Sequence, residues 1–128
     1  MVRKLPRRRQ MDPQSLIPLN PRDYLILFTL VSEDRHGYGI VKRVEADSGG
    51  QVSLDPANLY RAIKRLIRTG LVEEADERPA PESGGQRRRY YAITDFGREV
   101  VALEAARLAR LADAARVEKL IPESERRS

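Results

Sequence analysis

The chain has 128 residues, with 24 Lys and Arg against 19 Asp and Glu, and it contains no cysteine. This length suffices for one domain with a modest core, and the lack of cysteine excludes a disulfide framework and a thiolate metal site. No apolar run approaches the ~18 residues that a membrane span needs, and the charged start lacks the apolar stretch of a secretion signal. We therefore expect a cytoplasmic protein without a membrane segment.

Residues 1–19 are predicted to form a flexible basic arm, because they are rich in arginine and proline and have little apolar periodicity. Five positive residues near its start match the whole net charge of +5, since the other 19 basic residues equal the 19 acids in number. These five residues are Arg3, Lys4, Arg7, Arg8 and Arg9. The sequence leaves the role of the arm open.

Two helices are predicted between residues 20 and 50. Asn20 and Pro21 have the side chains of a helix start, and the apolar run YLILFTLV at 24–31 indicates a central, buried first helix. The segment HGYGIVKRVEADSGG at 36–50 predicts a shorter second helix that ends at its paired glycines. Its inward side is expected to hold Tyr38, Val41 and Val44, with Ile40 as a further candidate.

The only histidine, His36, is interpreted as the cap of the second helix. A single histidine without a carboxylate cluster or cysteine nearby makes a poor metal site or general base. We therefore expect no metal, no cofactor and no enzymatic activity.

A third helix is predicted over residues 56–69, with Asp55 as its cap and Gly70 at its end. The apolar residues gather on one face and the basic residues on the other, with no acid between Asp55 and Glu73. The basic residues are Arg61, Lys64, Arg65 and Arg68. Solvated faces usually mix Glu with Lys, so charge of a single sign favours an anionic partner such as DNA phosphate.

Two strand-like runs, LVEEADE and RRRYYAIT, flank the loop RPAPESGG and predict a hairpin over residues 71–93. The second run carries another basic cluster, Arg87, Arg88 and Arg89. The alternation of the strand does not decide whether Tyr90 or Tyr91 is buried.

A last helix is predicted from Thr94 to about Leu120, and residues 122–128 are expected to be a disordered tail. At roughly 27 residues the helix would be ~40 Å long, which is more than a small core can cover. Its uncovered apolar residues favour pairing with a second copy of the chain. The residues assigned to this dimer contact are Val100, Leu103, Leu108, Leu111, Val117 and Leu120.

This order of elements predicts a mainly α fold with a small β-hairpin: a winged helix-turn-helix over residues 20–93 and a C-terminal dimerisation helix over 94–121. In such a fold the third helix enters the major groove of DNA, and the hairpin, or wing, reaches an adjacent groove or the backbone. The residues expected to face DNA are Asn58, Tyr60, Arg61, Lys64, Arg65 and Arg68 on the helix, and Arg87, Arg88 and Arg89 on the wing.

Over about residues 22–121 the sequence resembles the PadR family of bacterial transcriptional regulators. The resemblance is carried by HGYGI at 36–40, NLYRAIKRLIRTGLVEE at 58–74 and RRRYYAITDFGREV at 87–100. It implies a homodimeric repressor in which the C-terminal helix makes much of the dimer contact. It also implies that Tyr38, Tyr60 and the wing arginines lie near DNA. The single short C-terminal helix is similar to that of the smaller subfamily.

Two other classes of protein fit the predicted fold. One is a protein-interaction module that has lost DNA binding, and the basic third helix argues against it. The other is an RNA-binding module; the aromatic content of 5% argues against base stacking but not against phosphate contacts. The sequence identifies no operator, regulated gene or small-molecule effector.

Overall fold

The computed structural model describes residues 11–79 and 87–122. A 3₁₀ helix, Pro13–Leu16, is followed by α1 (Pro21–Thr29), β1 (Arg35–His36), α2 (Gly37–Asp47), α3 (Pro56–Arg68), β2 (Val72–Pro79), β3 (Arg87–Ile93) and α4 (Asp95–Val117). The predicted class, a mainly α winged helix with a small antiparallel sheet, is confirmed. Residues 1–10 of the predicted arm and 123–128 of the predicted tail lie outside the described residues.

The predicted cap residues begin their helices. The side chains of His36, Asp55 and Thr94 each accept a hydrogen bond from the backbone N–H three residues later, at 3.2, 2.8 and 2.9 Å. Each bond satisfies one of the N–H groups that a helix start leaves without an intrahelical partner. Gly70 has a φ of +83°, so the chain leaves α3 in the left-handed conformation and turns directly into β2.

The hydrophobic core lies between the helices and one face of the sheet. Its most deeply buried side chains are Ile26, Leu27, Leu30, Ile40, Val44, Leu59, Ile63, Val72 and Val100. The assignment of Tyr38 to the inward side of α2 is wrong, because this side chain is 47% exposed and Ile40 is buried instead. The two residues lie about 200° apart on the helix, so they cannot share a face.

The sheet has three strands, in the order β1-β3-β2, where the sequence predicts only a hairpin. β1 consists of two residues, Arg35 and His36, which pair antiparallel with Tyr91 and Tyr90 of β3. Two residues are too few to show an alternating pattern, so the sequence gives no signal for this strand.

A β-bulge divides the wing. Glu74 pairs with Tyr91 and Glu77 pairs with Arg89, so β2 accommodates one extra residue between these two pairs. An extra residue reverses the alternation of side chains along β2. Glu74 and Glu77 therefore share the face of Arg89, and both carboxylates bond its guanidinium.

Both wing tyrosines are buried, on opposite faces of the sheet. Tyr91 belongs to the helical core and is 5% exposed. Tyr90 is 8% exposed and is covered by the ring of His36, at 5.2 Å between centroids, and by the guanidinium of Arg78, at 4.1 Å from its ring centroid. The bulge is what turns Arg78 toward this face.

Residues 11–19 are not a flexible arm. The 3₁₀ helix lies against α4, and Leu16, Ile17 and Leu19 pack on the core. Beneath this segment the carboxylate of Glu104 is buried and accepts hydrogen bonds from Arg107 Nε at 2.8 Å and Nη2 at 2.7 Å. These bonds from Arg107 lower the pKa of Glu104 although burial opposes them, so the carboxylate stays charged in its buried position.

Candidate nucleic-acid interface

α3 has one face in the core and a basic face on the surface. The core side holds Leu59, Ala62, Ile63 and Leu66. On the other side Arg61, Lys64 and Arg68 are exposed, and we call these three residues the basic face. Within residues 11–79 and 87–122, none of the three has an acidic partner. Their charges are therefore available to an anion.

Asn58 and Arg61 form a connected pair at the start of α3. Arg61 Nη2 donates a hydrogen bond to Asn58 Oδ1, and Asn58 Nδ2 donates to Asp55 Oδ2 at 3.1 Å. Amide and guanidinium groups are the side chains that make bidentate contacts with adenine and guanine edges. Their position near the helix N-terminus is where helix-turn-helix proteins contact bases.

Arg65 differs from the basic face. Its Nη2 atom donates to both carboxylate oxygens of Asp23 on α1, at 2.7 and 2.8 Å. The sequence places Arg65 among the DNA-facing residues, whereas the structure directs its side chain to a neighbouring helix.

Tyr60 lies between α3 and the start of α2. A Cβ atom added at Gly37 would lie 3.2 Å from the Tyr60 hydroxyl oxygen, which is tighter than an ordinary van der Waals contact. A glycine at this position therefore lets the tyrosine approach the first turn of α2. Tyr60 remains 49% exposed, so it is also open to solvent and to a ligand.

Tyr38 links α2 to the wing. Its ring lies 5.5 Å from Lys42 Nζ and 5.8 Å from the guanidinium carbon of Arg88. Tyr38 is 47% exposed and stacks parallel to His36 with an interplanar angle of 2°. Lys42 was not predicted as a site residue, although its place one turn after Tyr38 could have indicated the pair.

The three predicted wing arginines have different partners. Arg89 is bonded to Glu74 at 2.7 Å and to Glu77 at 3.3 Å, and the Glu74 carboxylate raises its pKa. Arg87 donates to the Glu77 backbone carbonyl, and Arg88 has no acidic partner in the described part of the chain. Arg87 and Arg88 are therefore the wing arginines whose charge no acid offsets among the described residues.

Arg78 is a fourth wing arginine that sequence reasoning missed. Its Nη2 atom lies 3.3 Å from Asp34 Oδ2, and its guanidinium covers the Tyr90 ring. Asp34 precedes β1, so this contact ties the wing to the turn after α1. No local pattern joins residues 44 positions apart, which is why the sequence did not reveal the pair.

An open groove of about 450 Å³ separates the basic face from the wing. Ile63, Ile67 and Tyr91 contribute apolar surface, while Lys64 and Glu74 lie at its edges. Burial, followed by the effects of Tyr60 and Glu74, raises the pKa of the Tyr91 hydroxyl, so this group is a neutral hydrogen-bonding group at neutral pH. The groove thus lies between the basic face of α3 and a wing of mixed charge, with a largely uncharged floor.

The exposed apolar surface of α4 is smaller than predicted. Val100 is fully buried in the core of its own chain and is not available to a partner, and Leu103 is half-buried. α4 ends at Val117, and Lys119 has a φ of +65°, so Leu120 is not on the helix. Its assignment to a helical seam is wrong because the chain turns there.

Leu108 and Leu111 remain as the exposed leucines within α4, at 37% and 55% exposure. They lie about 60° apart around the helix, on one face, whereas Val117 is about half a turn from Leu108. Val117 therefore does not lie on the same seam, although it is 76% exposed.

An apolar groove of about 290 Å³ between α1 and α4 extends this surface. Phe28 and Val31 line it and are 44% and 36% exposed, and Val101 and Ala105 line it from α4. The first helix was predicted to be buried, and this prediction is wrong for the face that carries Phe28. The exposed apolar surface combines α1 and α4.

Among the described residues, no group of three or more His, Cys, Asp or Glu side chains is arranged to hold a metal ion. None of the helices in the same part of the chain is long and apolar enough to cross a membrane.

Comparisons with known proteins agree with this geometry. The model of the transcriptional regulator PadR-like family matches residues 26–103. An uncharacterized 37.1 kDa protein in transposon TN4556 of Streptomyces fradiae is 38% identical over 92 residues, which cover 72% of this chain and 24% of that protein. The chain thus spans about a quarter of the length of that relative.

Solved structures show the same fold. A PadR family transcription regulator from Clostridium difficile R20291 has a TM-score of 0.61 and 25% identity, covering 74% of this chain and 94% of that one. A PadR-like transcriptional regulator from Bacillus cereus has a TM-score of 0.64 and 20% identity, covering 86% and 96%.

Proposed function

Because the chain belongs to the PadR-like family of transcriptional regulators, we propose that it is a sequence-specific repressor that binds duplex DNA as a homodimer. Family membership supports transcriptional regulation through DNA binding and not an enzymatic activity. The repressor activity, the homodimer, the cytoplasmic location and the individual contacts are the proposal.

The observation that carries the proposal is the basic face of α3. Its three side chains have no acidic partner among the described residues, and the opposite face of the helix is packed in the core. A helix of 13 residues is about 20 Å long and fits along the major groove, which is about 12 Å wide. We assign base contacts to Asn58 and Arg61 and phosphate contacts to Lys64, Arg68 and the Tyr60 hydroxyl.

The wing supplies the second part of the proposed contact. Arg88 and Tyr38 lie beside each other on the surface where β3 meets α2, with Lys42 close by. We assign these groups to the DNA backbone or an adjacent groove. Arg87 and Arg89 lie on the opposite face of β3, where Glu74 offsets the charge of Arg89 and Arg87 is bonded only to a backbone carbonyl.

A second copy of the chain is the proposed partner of the α1–α4 apolar surface. This surface exposes large apolar side chains on α4, on α1 and in the turn after α1, which favours self-association. They are Leu108, Leu111, Phe28 and Val31. A two-fold dimer presents two recognition helices to one duplex. We expect half-sites roughly 34–36 Å apart in a near-palindromic operator.

Selection from a random duplex library with the full chain tests the proposed function. We expect a near-palindromic sequence and an affinity that falls with salt, with a log–log slope of about −0.9 for each phosphate contacted. Duplex RNA of the selected sequence is the control and should bind more weakly. Equal affinity for the selected and scrambled duplexes would reject sequence-specific binding. A reporter placed downstream of the selected site then distinguishes repression from activation.

A further inference from the structure

We propose that Arg65 is a positioning residue that fixes α3 to α1, and that it does not contact DNA. This inference rests on the proposed DNA-binding function, because it concerns how the recognition helix is oriented. Arg65 lies on the same helix as the three residues of the basic face, but it has an acidic partner and they have none among the described residues.

The contact that holds Arg65 is made to a buried carboxylate. Asp23 is 7% exposed, and its two oxygens accept from Arg65 Nη2 at 2.7 and 2.8 Å. The backbone N–H of Asp23 is itself bonded to Asn20 Oδ1 at 2.8 Å, in the first turn of α1. Asn20 Nδ2 donates to Asp23 Oδ2 at 3.3 Å, so the carboxylate is also held at its place on α1, and it fixes the guanidinium in turn.

Charge balance favours keeping this contact when DNA binds. If Arg65 moved to a phosphate, the buried Asp23 carboxylate would lose its two short hydrogen bonds and keep only the longer one from Asn20 Nδ2, at 3.3 Å. A buried charge that loses its bonded cation is unfavourable. Arg22 is the other cation nearby, but its Nε lies 3.6 Å from Asp23 Oδ1 and makes no hydrogen bond. Arg22 does not replace Arg65 in this arrangement.

The position of the contact explains what it controls. Arg65 is one turn beyond Arg61, on the edge of α3 that borders α1. The pair thus sets how α3 lies against α1, and with it the direction in which Asn58, Arg61 and Lys64 point toward a groove. The Arg65 side chain is 39% exposed, so solvent reaches part of it. The oxygens that it bonds belong to Asp23, whose side chain alone is only 9% exposed.

The two roles predict opposite effects for Asp23→Asn. If Arg65 contacted phosphate, removing the carboxylate would release the guanidinium and remove a negative charge near DNA, so every duplex would bind more tightly. If the pair positions α3, the same change weakens binding to the selected sequence, because the base contacts are misaligned.

The experiment uses the full chain with Arg65→Ala, Asp23→Asn and the double variant, and Arg68→Ala as the matched control. The probes are the duplex selected by the native chain and a scrambled duplex of equal length. For Arg65→Ala and for Asp23→Asn we expect the affinity for the selected duplex to fall roughly 5- to 30-fold, with the salt slope unchanged. The double variant should be no weaker than either single variant, since both changes break one contact. For Arg68→Ala we expect the slope to decrease by about 0.9.

A slope decrease of about 0.9 for Arg65→Ala, or tighter binding of both duplexes by Asp23→Asn, would overturn the proposal. If Arg65→Ala does not fold, judged by circular dichroism, the pair Asp23→Asn with Arg65→Gln replaces it, since two amides keep a hydrogen bond without charge. Recovery of selective binding by that pair supports positioning, and its failure to recover selectivity while folded contradicts it. Failure of the native chain to select any sequence is a separate result, which rejects the proposed function and this inference together.

Discussion

The recognition helix and the wing carry four basic side chains each within the described residues, but their net charges differ. α3 has Arg61, Lys64, Arg65 and Arg68 and no acid, so its net charge is +4. β2 and β3 have Arg78, Arg87, Arg88 and Arg89 against Glu73, Glu74, Asp76 and Glu77, so their net charge is 0. A count of arginines therefore overstates the attraction of the wing for DNA, and the wing contributes more through placement than through charge.

Changes in the dimer surface should have the largest effect on operator affinity. Two recognition helices and two wings can bind one operator only if two copies of the chain associate. Replacing Leu108 and Leu111 with Asp places charge where burial without a partner is unfavourable. We expect a monomer and a loss of operator affinity on the order of 10²- to 10⁴-fold, as the two half-sites are no longer bound together. Analytical ultracentrifugation and a binding titration measure the two effects.

The matched control is Val117→Asp, which changes an exposed residue about half a turn away on the same helix. We expect it to leave both association and affinity unchanged. A native chain that sediments as a 14.6 kDa monomer at micromolar concentration would contradict the proposed dimer.

Gly97→Ala should destabilise the junction where the chain passes from α3 into β2 and from β3 into α4. A Cβ atom at this position would overlap the Leu71 carbonyl oxygen and would lie 2.7 Å from Ile93 Cγ1, so the backbone after α3 or the start of α4 must shift. We expect a loss of about 1–3 kcal/mol in the free energy of unfolding, measured by thermal or urea denaturation. Gly39→Ala is the control, since its nearest neighbour would lie at 3.6 Å, an ordinary contact. Equal stabilities of the two variants would show that the junction can relax.

Arg61→Ala and Arg88→Ala test directly whether helix and wing have different roles. A good bidentate base contact contributes about 1–3 kcal/mol of discrimination, so Arg61→Ala should relax the sequence preference at one position of each half-site. Arg88→Ala should weaken binding to all duplexes by more nearly the same factor. Repeating the selection with each variant measures both, and the reverse pattern would show that the wing reads the sequence.

Several features of the fold were predictable because their signals are local. The cap side chains of His36, Asp55 and Thr94, and the division of α3 into a core face and a basic face, follow from residue type and from a period of 3.6. The single-sign charge of α3 is also visible in the sequence, and the DNA-facing assignment that it suggests stays a prediction.

Other features depend on residues far apart in the chain, and local patterns do not contain them. Asp23 meets Arg65 across 42 residues, and Asp34 meets Arg78 across 44. In the sequence, nothing distinguishes the two aspartates from ordinary solvated acids, because their partners become neighbours only in the folded chain. The burial of Glu104 beneath the 3₁₀ helix was missed for the same reason.

Glu74→Gln is the change with the smallest expected effect, and it tests whether acids mask the charge of the wing. It removes the carboxylate at 2.7 Å from Arg89 and leaves only the weaker contact with Glu77 at 3.3 Å. We expect slightly tighter binding to all duplexes and a salt slope that becomes steeper by less than 0.9. Glu73→Gln changes the net charge equally without touching a described arginine, and an equal response to both variants would show that only the total charge matters.

The bulge between Glu74 and Glu77 makes the wing tolerant of one particular change in chain length. Beyond the bulge, Glu77, Arg78 and Pro79 pair with Arg89, Arg88 and Arg87. Deleting Ala75 would leave these pairs unchanged, because the number of residues from Glu74 to Glu77 would then equal the number from Arg89 to Tyr91. Arg78 would therefore stay on the face of Tyr90, whereas a one-residue deletion beyond the bulge would move the residues that follow it to the opposite face. A sequence alignment of relatives that allows no gap at the bulge would match Arg78 with a residue of the opposite face.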